Sequence, residues 1–221
     1  MISTKQLEAL VARIDACPAP PKQRRLIALA GAPACGKSTL AGALVKALNQ
    51  RRPGSGMGSG PGSAVVLGMD GYHYDDRVLQ ERGLRARKGA PGTFDVEGLH
   101  QMLLRLRHCR DVEIAIPVFD RSLEIARAGA AIVPPQASIV VVEGNYLLLD
   151  SPPWGDLARL FDVSLWLEVP ESVLRRRLEA RWRDQGLQPE AIACKIEQND
   201  LPNARLACQG SRAADMVIRS G

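Results

Sequence analysis

Two glycines, four small residues between them and a Lys-Ser-Thr run make up GAPACGKST (31–39). The stretch follows the apolar run RLIALA (25–30) and opens a segment of helix formers, STLAGALVKALNQ. This is the G-x-x-x-x-G-K-[ST] spacing with a strand before it and a helix after it, and it predicts an anion cradle. Gly31 and Gly36 let the backbone of Ala32, Pro33, Ala34 and Cys35 curl around phosphate oxygens, and the helix N-terminus adds partial positive charge. Lys37 has the reach for terminal phosphates, the Ser38 hydroxyl can ligate Mg²⁺, and Thr39 is placed to donate to an α-phosphate. Cys35 could be a redox-sensitive thiol at a helix start; we read it as a small loop residue.

Two acids end apolar runs elsewhere. SIVVVE (138–143) closes on Glu143, and an acid at the carboxyl end of a buried strand can hold the water shell of Mg²⁺. AVVL (64–67) leads into GMDGYHYDD (68–76). There Asp70 is placed to accept a hydroxyl proton during phosphoryl transfer, with Tyr72 and His73 contacting the molecule that bears the hydroxyl. The alternative is an Asp-Gly turn whose aromatics cap the core. Tyr74, Asp75 and Asp76 read as the start of the next helix.

A phosphate cradle alone does not name a reaction. The guanine-reading N-K-x-D tetrapeptide is absent, as is the LSGGQ-like signature of transport ATPases. DVEG (95–98) has D-x-x-G spacing but follows GTF rather than a long apolar strand. An AAA-type motor is ordinarily longer. What remains is a small kinase using ATP and Mg²⁺, which must hold an acceptor hydroxyl in line with the γ-phosphate and exclude water.

The elements that would position these residues follow from periodicity. Strand-length apolar runs recur at RLIALA, AVVLGM (64–69), VEIAIPVF (112–119), SIVVVE, VSLWLEV (163–169) and ADMVIRS (214–220). Helix-period segments such as DVEGLHQMLLRLR and PESVLRRRLEARWRDQ separate most of them, which predicts an α/β fold with a mostly parallel sheet flanked by helices. LEIARAGAAIV (123–133) reads as two short strands around a Gly turn, a small appended β-hairpin. At the N-terminus, Ser3 and Gln6 have capping-box spacing, and Leu7, Leu10, Val11 and Ile14 share a helix face. RRPGSGMGSGPGS (51–63) reads as a flexible connection within one domain spanning residues 1–221.

Composition sets the setting. With 46% hydrophobic and 24% charged residues the chain reads as an ordinary soluble protein, and no run reaches membrane-span length. Neither a secretory signal nor CxxC spacing among the five cysteines is seen, so the expected location is cytoplasmic. Net charge is +5, but the aromatic platforms of a single-strand binder are missing, so the basic clusters suit a nucleotide rather than nucleic acid. Association as a homodimer is left open.

In order along residues 25–218, GAPACGKST, MDGYH, ERGLRARKGAPGTFD, PVFDRSLEIA, VVVEGNYLL and LRRRLEARW resemble the phosphoribulokinase/uridine kinase/pantothenate kinase superfamily. The wording most resembles bacterial proteins described as fructose transport system kinases. The resemblance implies a P-loop NTPase three-layer sandwich, with Asp70 as base and Glu143 as the Walker B-type acid. It implies acceptor contacts in KGAPGTFD (88–95), hence Lys88 and Asp95, and in PVFDRS (117–122), hence Asp120 and Arg121. Asp95 equally suits an N-cap, and Asp120 and Arg121 equally suit a solvated turn.

The resemblance also implies a lid helix whose arginines cover the phosphates. PESVLRRRLEARWRDQG fits it, and Arg177 and Arg181 are i,i+4 neighbours on one face. The resemblance also offers Asn199, Asp200 and Asn203 as adenine contacts, while an Asn/Asp/Pro cluster is ordinary turn chemistry as well. With three each of Phe, Tyr and Trp, the chain suggests an acceptor held by hydroxyl contacts, a sugar such as fructose, over a nucleobase. Pantothenate, nucleoside and phosphoribulose kinases remain alternatives, as does a nucleotide-binding regulatory ATPase.

Overall fold

The computed structural model describes residues 2–18, 23–51 and 64–220. Apart from Arg51, the Gly/Ser/Pro-rich segment expected to be flexible lies outside the described residues. Helix α1 (Thr4–Ala16) opens on the expected capping box: Ser3 Oγ accepts from Gln6 N at 3.2 Å, and Gln6 Oε1 accepts from Ser3 N at 2.8 Å. Strand β1 (Arg25–Gly31) is buried throughout and runs into α2 (Lys37–Arg51). Strand β2 (Ala64–Gly68) passes through a 3₁₀ turn, Met69–Tyr72, to α3 (Asp76–Glu81), which Asp75 caps. Then come α4 (Val96–His108), β3 (Ile114–Asp120), β4 (Ile125–Val133), β5 (Ile139–Gly144) and β6 (Val163–Glu168). The chain closes with α5 (Glu171–Asp184), α6 (Pro189–Lys195), a π turn at Ile196–Asp200, α7 (Leu201–Gly210) and β7 (Met216–Arg219).

Five strands form one parallel sheet in the order β2-β5-β1-β6-β7. Alternation along the strands divides the core in two. Leu26, Ala28, Val140 and Val142 pack with α4 through Leu99, Leu103 and Leu106, whereas Ile27, Leu29, Ile139 and Val141 pack with α1 and α2 through Ile14, Leu44 and Leu48. A sheet covered on both faces needs apolar residues at every strand position, which is why β1 and β5 read as unbroken apolar runs. The result is the three-layer arrangement expected from the sequence.

The appended hairpin departs from that expectation in its boundaries. It is built from β3 and β4, which pair antiparallel outside the main sheet, so 112–119 is no strand of the parallel sheet and 123–133 is not two strands. Gly129, with φ +63°, marks an irregularity and not the turn. The register shifts between Ile116 and Val118, so that Pro117, which has no N–H to give, faces a bulge in β4. The true turn follows Asp120, where Glu124 adopts φ +55°.

Arg24 ties the start of β1 to the layers around it. Its fully buried guanidinium donates to the carbonyls of Leu106 (3.0 Å) and Cys109 (2.5 Å) at the end of α4, and to Ala137 O (2.9 Å) ahead of β5. These carbonyls have no intrahelical donor, so Arg24 serves as a C-terminal cap made by a distant residue. We expect Arg24→Leu to lower the unfolding free energy by about 3 kcal/mol in urea denaturation, since several buried acceptors lose their donor together. A loss below about 1 kcal/mol would mean that water replaces the guanidinium.

Candidate active site

The carboxyl ends of β2, β5 and β1 lie side by side, with Gly68 opposite Glu143 and Ala30 opposite Gly144. Chain segments leaving one edge of a parallel sheet converge on whatever binds there. From β1 comes the loop 31–36. A Cβ on Gly31 would stand 2.8 Å from Leu167 O and 2.9 Å from Cys35 Sγ, and Gly36 has φ +103°, so neither position accepts a side chain without distortion. Ala34 holds the left-handed region at φ +60°, a strained conformation for a residue with a Cβ. Lys37 is buried, and its Nζ donates to Ala32 O at 2.9 Å. From α5, Arg177 Nη1 donates to Cys35 O at 2.8 Å and Ala34 O at 3.3 Å, fastening that helix to the loop.

A cavity of about 390 Å³ opens above this loop, lined by Gly36, Lys37, Ser38, Thr39, Glu143 and Arg177 among others. Ser38 Oγ donates to Glu143 Oε1 at 3.0 Å. Burial pushes the Glu143 carboxyl above the usual range, with Lys37 pulling the other way. A hydroxyl and a half-buried carboxylate are hard oxygen donors, and a divalent cation would offset the carboxylate's charge. They fit Mg²⁺, which takes few protein ligands and completes its shell with phosphate oxygens and water.

Beside it lies a second cavity, of about 290 Å³, which shares Pro33, Asp70, Arg121, Asn145 and Arg181 with the first. Asp70 sits in the 3₁₀ turn after β2, and its Oδ2 accepts from Arg121 Nη2 at 2.8 Å across from the hairpin. Oδ1 has no donor among the described residues. Arg181 borders both cavities without an ion pair among the described residues. Burial and Arg121 work against its charge, while Asp70 and Asp200 favour it. Deeper in the second cavity, Lys88 donates to Asp76 Oδ1 at 2.7 Å and Glu124 O at 2.6 Å, which locks the loop 82–95 to α3 and the hairpin.

His73 stands between the rings of Phe94 (4.0 Å) and Phe119 (4.9 Å), and its Nδ1–H donates to Asp70 O at 2.8 Å. Burial pushes this imidazole below its ordinary value, and the nearby Asp70 charge only partly offsets that. A depressed folded-state value means that stability is present above the ordinary value of 6.5 and is lost as pH falls through the depressed one. We therefore expect the stability difference between wild type and His73→Gln, measured in urea, to shrink from about pH 7.5 to about pH 5.5. A pH-independent difference would mean that His73 titrates normally in the fold.

The structure brings together most of the residues singled out from sequence, but not all. Gly31, Ala32 and Cys35 form the underside of the loop and leave the cavity wall to Pro33, Ala34, Gly36, Lys37, Ser38 and Thr39. Tyr72 turns into the core, 8% exposed, with its hydroxyl buried and unpartnered among the described residues, so it faces neither cavity. Asp95 caps α4 by accepting from Gly98 N at 2.9 Å and is absent from both cavities. Asp120 folds the hairpin turn, accepting from Ser122 Oγ at 2.6 Å and Arg127 Nη1 at 3.1 Å, and leaves Arg121 alone to face the cavity.

Asn199, Asp200 and Asn203 are buried, and Asp200 and Asn203 line the cavity that holds Asp70. Asn199 donates to Lys88 O at 2.9 Å, Asn203 to Asn199 Oδ1 at 3.2 Å, and Trp182 Nε1 to Asp200 Oδ2 at 2.7 Å. Asn145, Phe119, Glu124, Trp182 and Lys195 line the second cavity and were not singled out. Asn145 follows Glu143 by two residues in VEGNY, a position that the strand-end argument for Glu143 covers equally well. No sequence pattern marks the others, since the chain crossing that gathers them is tertiary.

A phosphate cradle opening directly onto a second cavity, beside an arginine-bearing helix, is the arrangement of a P-loop kinase. Comparison with known proteins narrows the class. The model of the Phosphoribulokinase / Uridine kinase family matches residues 26–221, and the chain belongs to that family. It is 35% identical over 205 residues to a "putative uridine kinase" of Schizosaccharomyces pombe, covering 90% of this chain and 84% of that protein. It is 33% identical to the uncharacterized protein YggC of Escherichia coli, covering 90% of this chain and 78% of the other. Among solved structures, a "putative fructose transport system kinase" from Silicibacter sp. TM1040 superposes with a TM-score of 0.86 at 43% identity, covering 96% of this chain and 98% of that one. The protein is thus a phosphotransferase acting on a small-molecule substrate. Among the described residues no helix is long and apolar enough to cross a membrane.

Proposed function

We propose that the protein transfers the γ-phosphoryl group of ATP to an alcohol hydroxyl of a small polar metabolite, with a sugar such as fructose as the first candidate acceptor. The observation that carries this reading is the junction of the two cavities at Asp70, Arg121, Asn145 and Arg181. An acceptor in the 290 Å³ cavity would present its hydroxyl there to a γ-phosphate held by Lys37. The acceptor oxygen bonds to phosphorus, the bond from phosphorus to the β,γ-bridging oxygen breaks, and ADP leaves with that oxygen. The hydroxyl proton passes to Asp70 Oδ1, the carboxylate oxygen not engaged by Arg121. Lys37, Arg177 and Arg181 counter the charge on the transferring group. Ser38 and Glu143 would hold Mg²⁺, which would supply further neutralisation of phosphate charge.

The sugar reading draws on the Silicibacter structure's name and on polar groups such as Glu124, Asn145, Asp200 and Asn203 around the cavity. A nucleoside is the second reading. The scarcity of aromatics in the sequence argued against it, yet Phe94, Phe119, His73 and Trp182 gather at this one cavity, and a base could pack on them. The names of the relatives also differ, one a uridine kinase and one a fructose transport system kinase, so neither fixes the acceptor for this chain.

An ADP-release assay over sugars, nucleosides, pantothenate and sugar phosphates tests the reading. We expect one alcohol to stimulate release about tenfold or more over the acceptor-free rate. Uniform slow release across the panel would instead indicate a regulatory ATPase.

A further inference from the structure

Helix α1 precedes the region that the family model matches, which begins at residue 26. It is nevertheless docked firmly. Leu10, Val11 and Ile14 are buried against α2, and Arg25 Nη1 donates to Ile14 O. The opposite end of the helix lines a third cavity, of about 410 Å³, with Ile2, Ser3, Thr4 and Leu7 on one side and Leu40, Ala43 and Leu167 on the other.

This cavity shares Ala34, Gly36, Thr39 and Arg177 with the phosphate cavity and no residue with the Asp70 cavity beyond it. The three spaces therefore follow one another as acceptor, phosphates and a slot walled largely by aliphatic side chains. A nucleoside triphosphate whose γ-phosphate points at Asp70 can place its other end in that slot, and the base is its one large apolar part. The geometry points to α1 as a wall of the nucleobase slot, with Leu7 and Ile2 packing on the base opposite Leu40 and Ala43. The first turn is held in place for this by the reciprocal Ser3–Gln6 cap, which engages the Ser3 hydroxyl in the helix itself. The inference rests on the ATP reading above and adds that this helix, outside the family-matched region, positions the nucleotide.

Calorimetric titration of the full chain with ADP and, separately, with inorganic tripolyphosphate tests it. Tripolyphosphate can occupy the cradle but has no base to place in the slot. Leu7→Ser should raise the Kd for ADP about fivefold or more while leaving tripolyphosphate within about twofold. Ala43→Phe fills the slot from α2 with α1 intact, so it should give the same split even if Leu7→Ser fails to fold. ADP affinity unchanged in the folded variants, or falling in step with tripolyphosphate, would overturn the inference. Wild-type protein that binds neither ligand would overturn the ATP reading itself, and the inference with it.

Discussion

Asp70→Asn is expected to lower acceptor-dependent turnover by about 10²-fold or more, with ADP affinity and acceptor KM within about threefold of wild type. The split follows from where Asp70 sits. It sits in the 3₁₀ turn after β2, outside the phosphate-binding loop, at the junction of the two cavities. An amide oxygen can still accept the 2.8 Å bond from Arg121, so the hairpin stays docked and the cavity keeps its shape. What the substitution removes is an oxygen able to take a proton. The loss stays toward the lower end of the range for general bases because phosphoryl transfer has a loose transition state with little bond formation to the attacking oxygen. Turnover within a few-fold of wild type would assign the proton to another group.

Lys37→Met should lower kcat/KM for ATP by about 10³-fold. Lys37 is buried at the start of α2, and its ammonium rests on Ala32 O, at the inner rim of the loop. Methionine matches its length and apolar stem but carries no charge, so the change isolates the ammonium. The substitution also removes the charge that most opposes the upward push of burial on Glu143. The Glu143 carboxyl should therefore be held further above the usual range. Arginine is a poor replacement, because its planar fork requires more room than a point charge in a closed loop. A kcat/KM within tenfold of wild type would mean that Arg177 and Arg181 carry the phosphate charge without it.

The sequence disclosed the parts of this molecule whose chemistry is local. The loop 31–39 can be read because spacing, strand and helix lie in one continuous segment, and the capping box of α1 for the same reason. The placement of Glu143 was legible because a strand end fixes where its last acid points, and that of Asp70 because the short turn after β2 stays at the same sheet edge. For Tyr72, Asp95 and Asp120 two readings stood side by side, and the local one holds although each lies in a segment that reaches the site: Tyr72 packs into the core, Asp95 accepts from Gly98 N and Asp120 folds its own turn. The hairpin was misjudged because Gly129 looks like a turn, whereas its positive φ serves a bulge opposite Pro117. The place of Asn199 and Asn203 beside Lys88 was not legible, because only the π turn and α7 bring them there.

The central claim is that phosphate held at Lys37 passes to a hydroxyl presented at Asp70. The most direct measurement uses γ-labelled ATP with the acceptor that stimulates ADP release, separating labelled phosphomonoester from labelled inorganic phosphate. The account predicts label in the acceptor in step with ADP formed, and a loss of that product, about 10²-fold, in Asp70→Asn. Label appearing only as inorganic phosphate, with or without an acceptor, would contradict it.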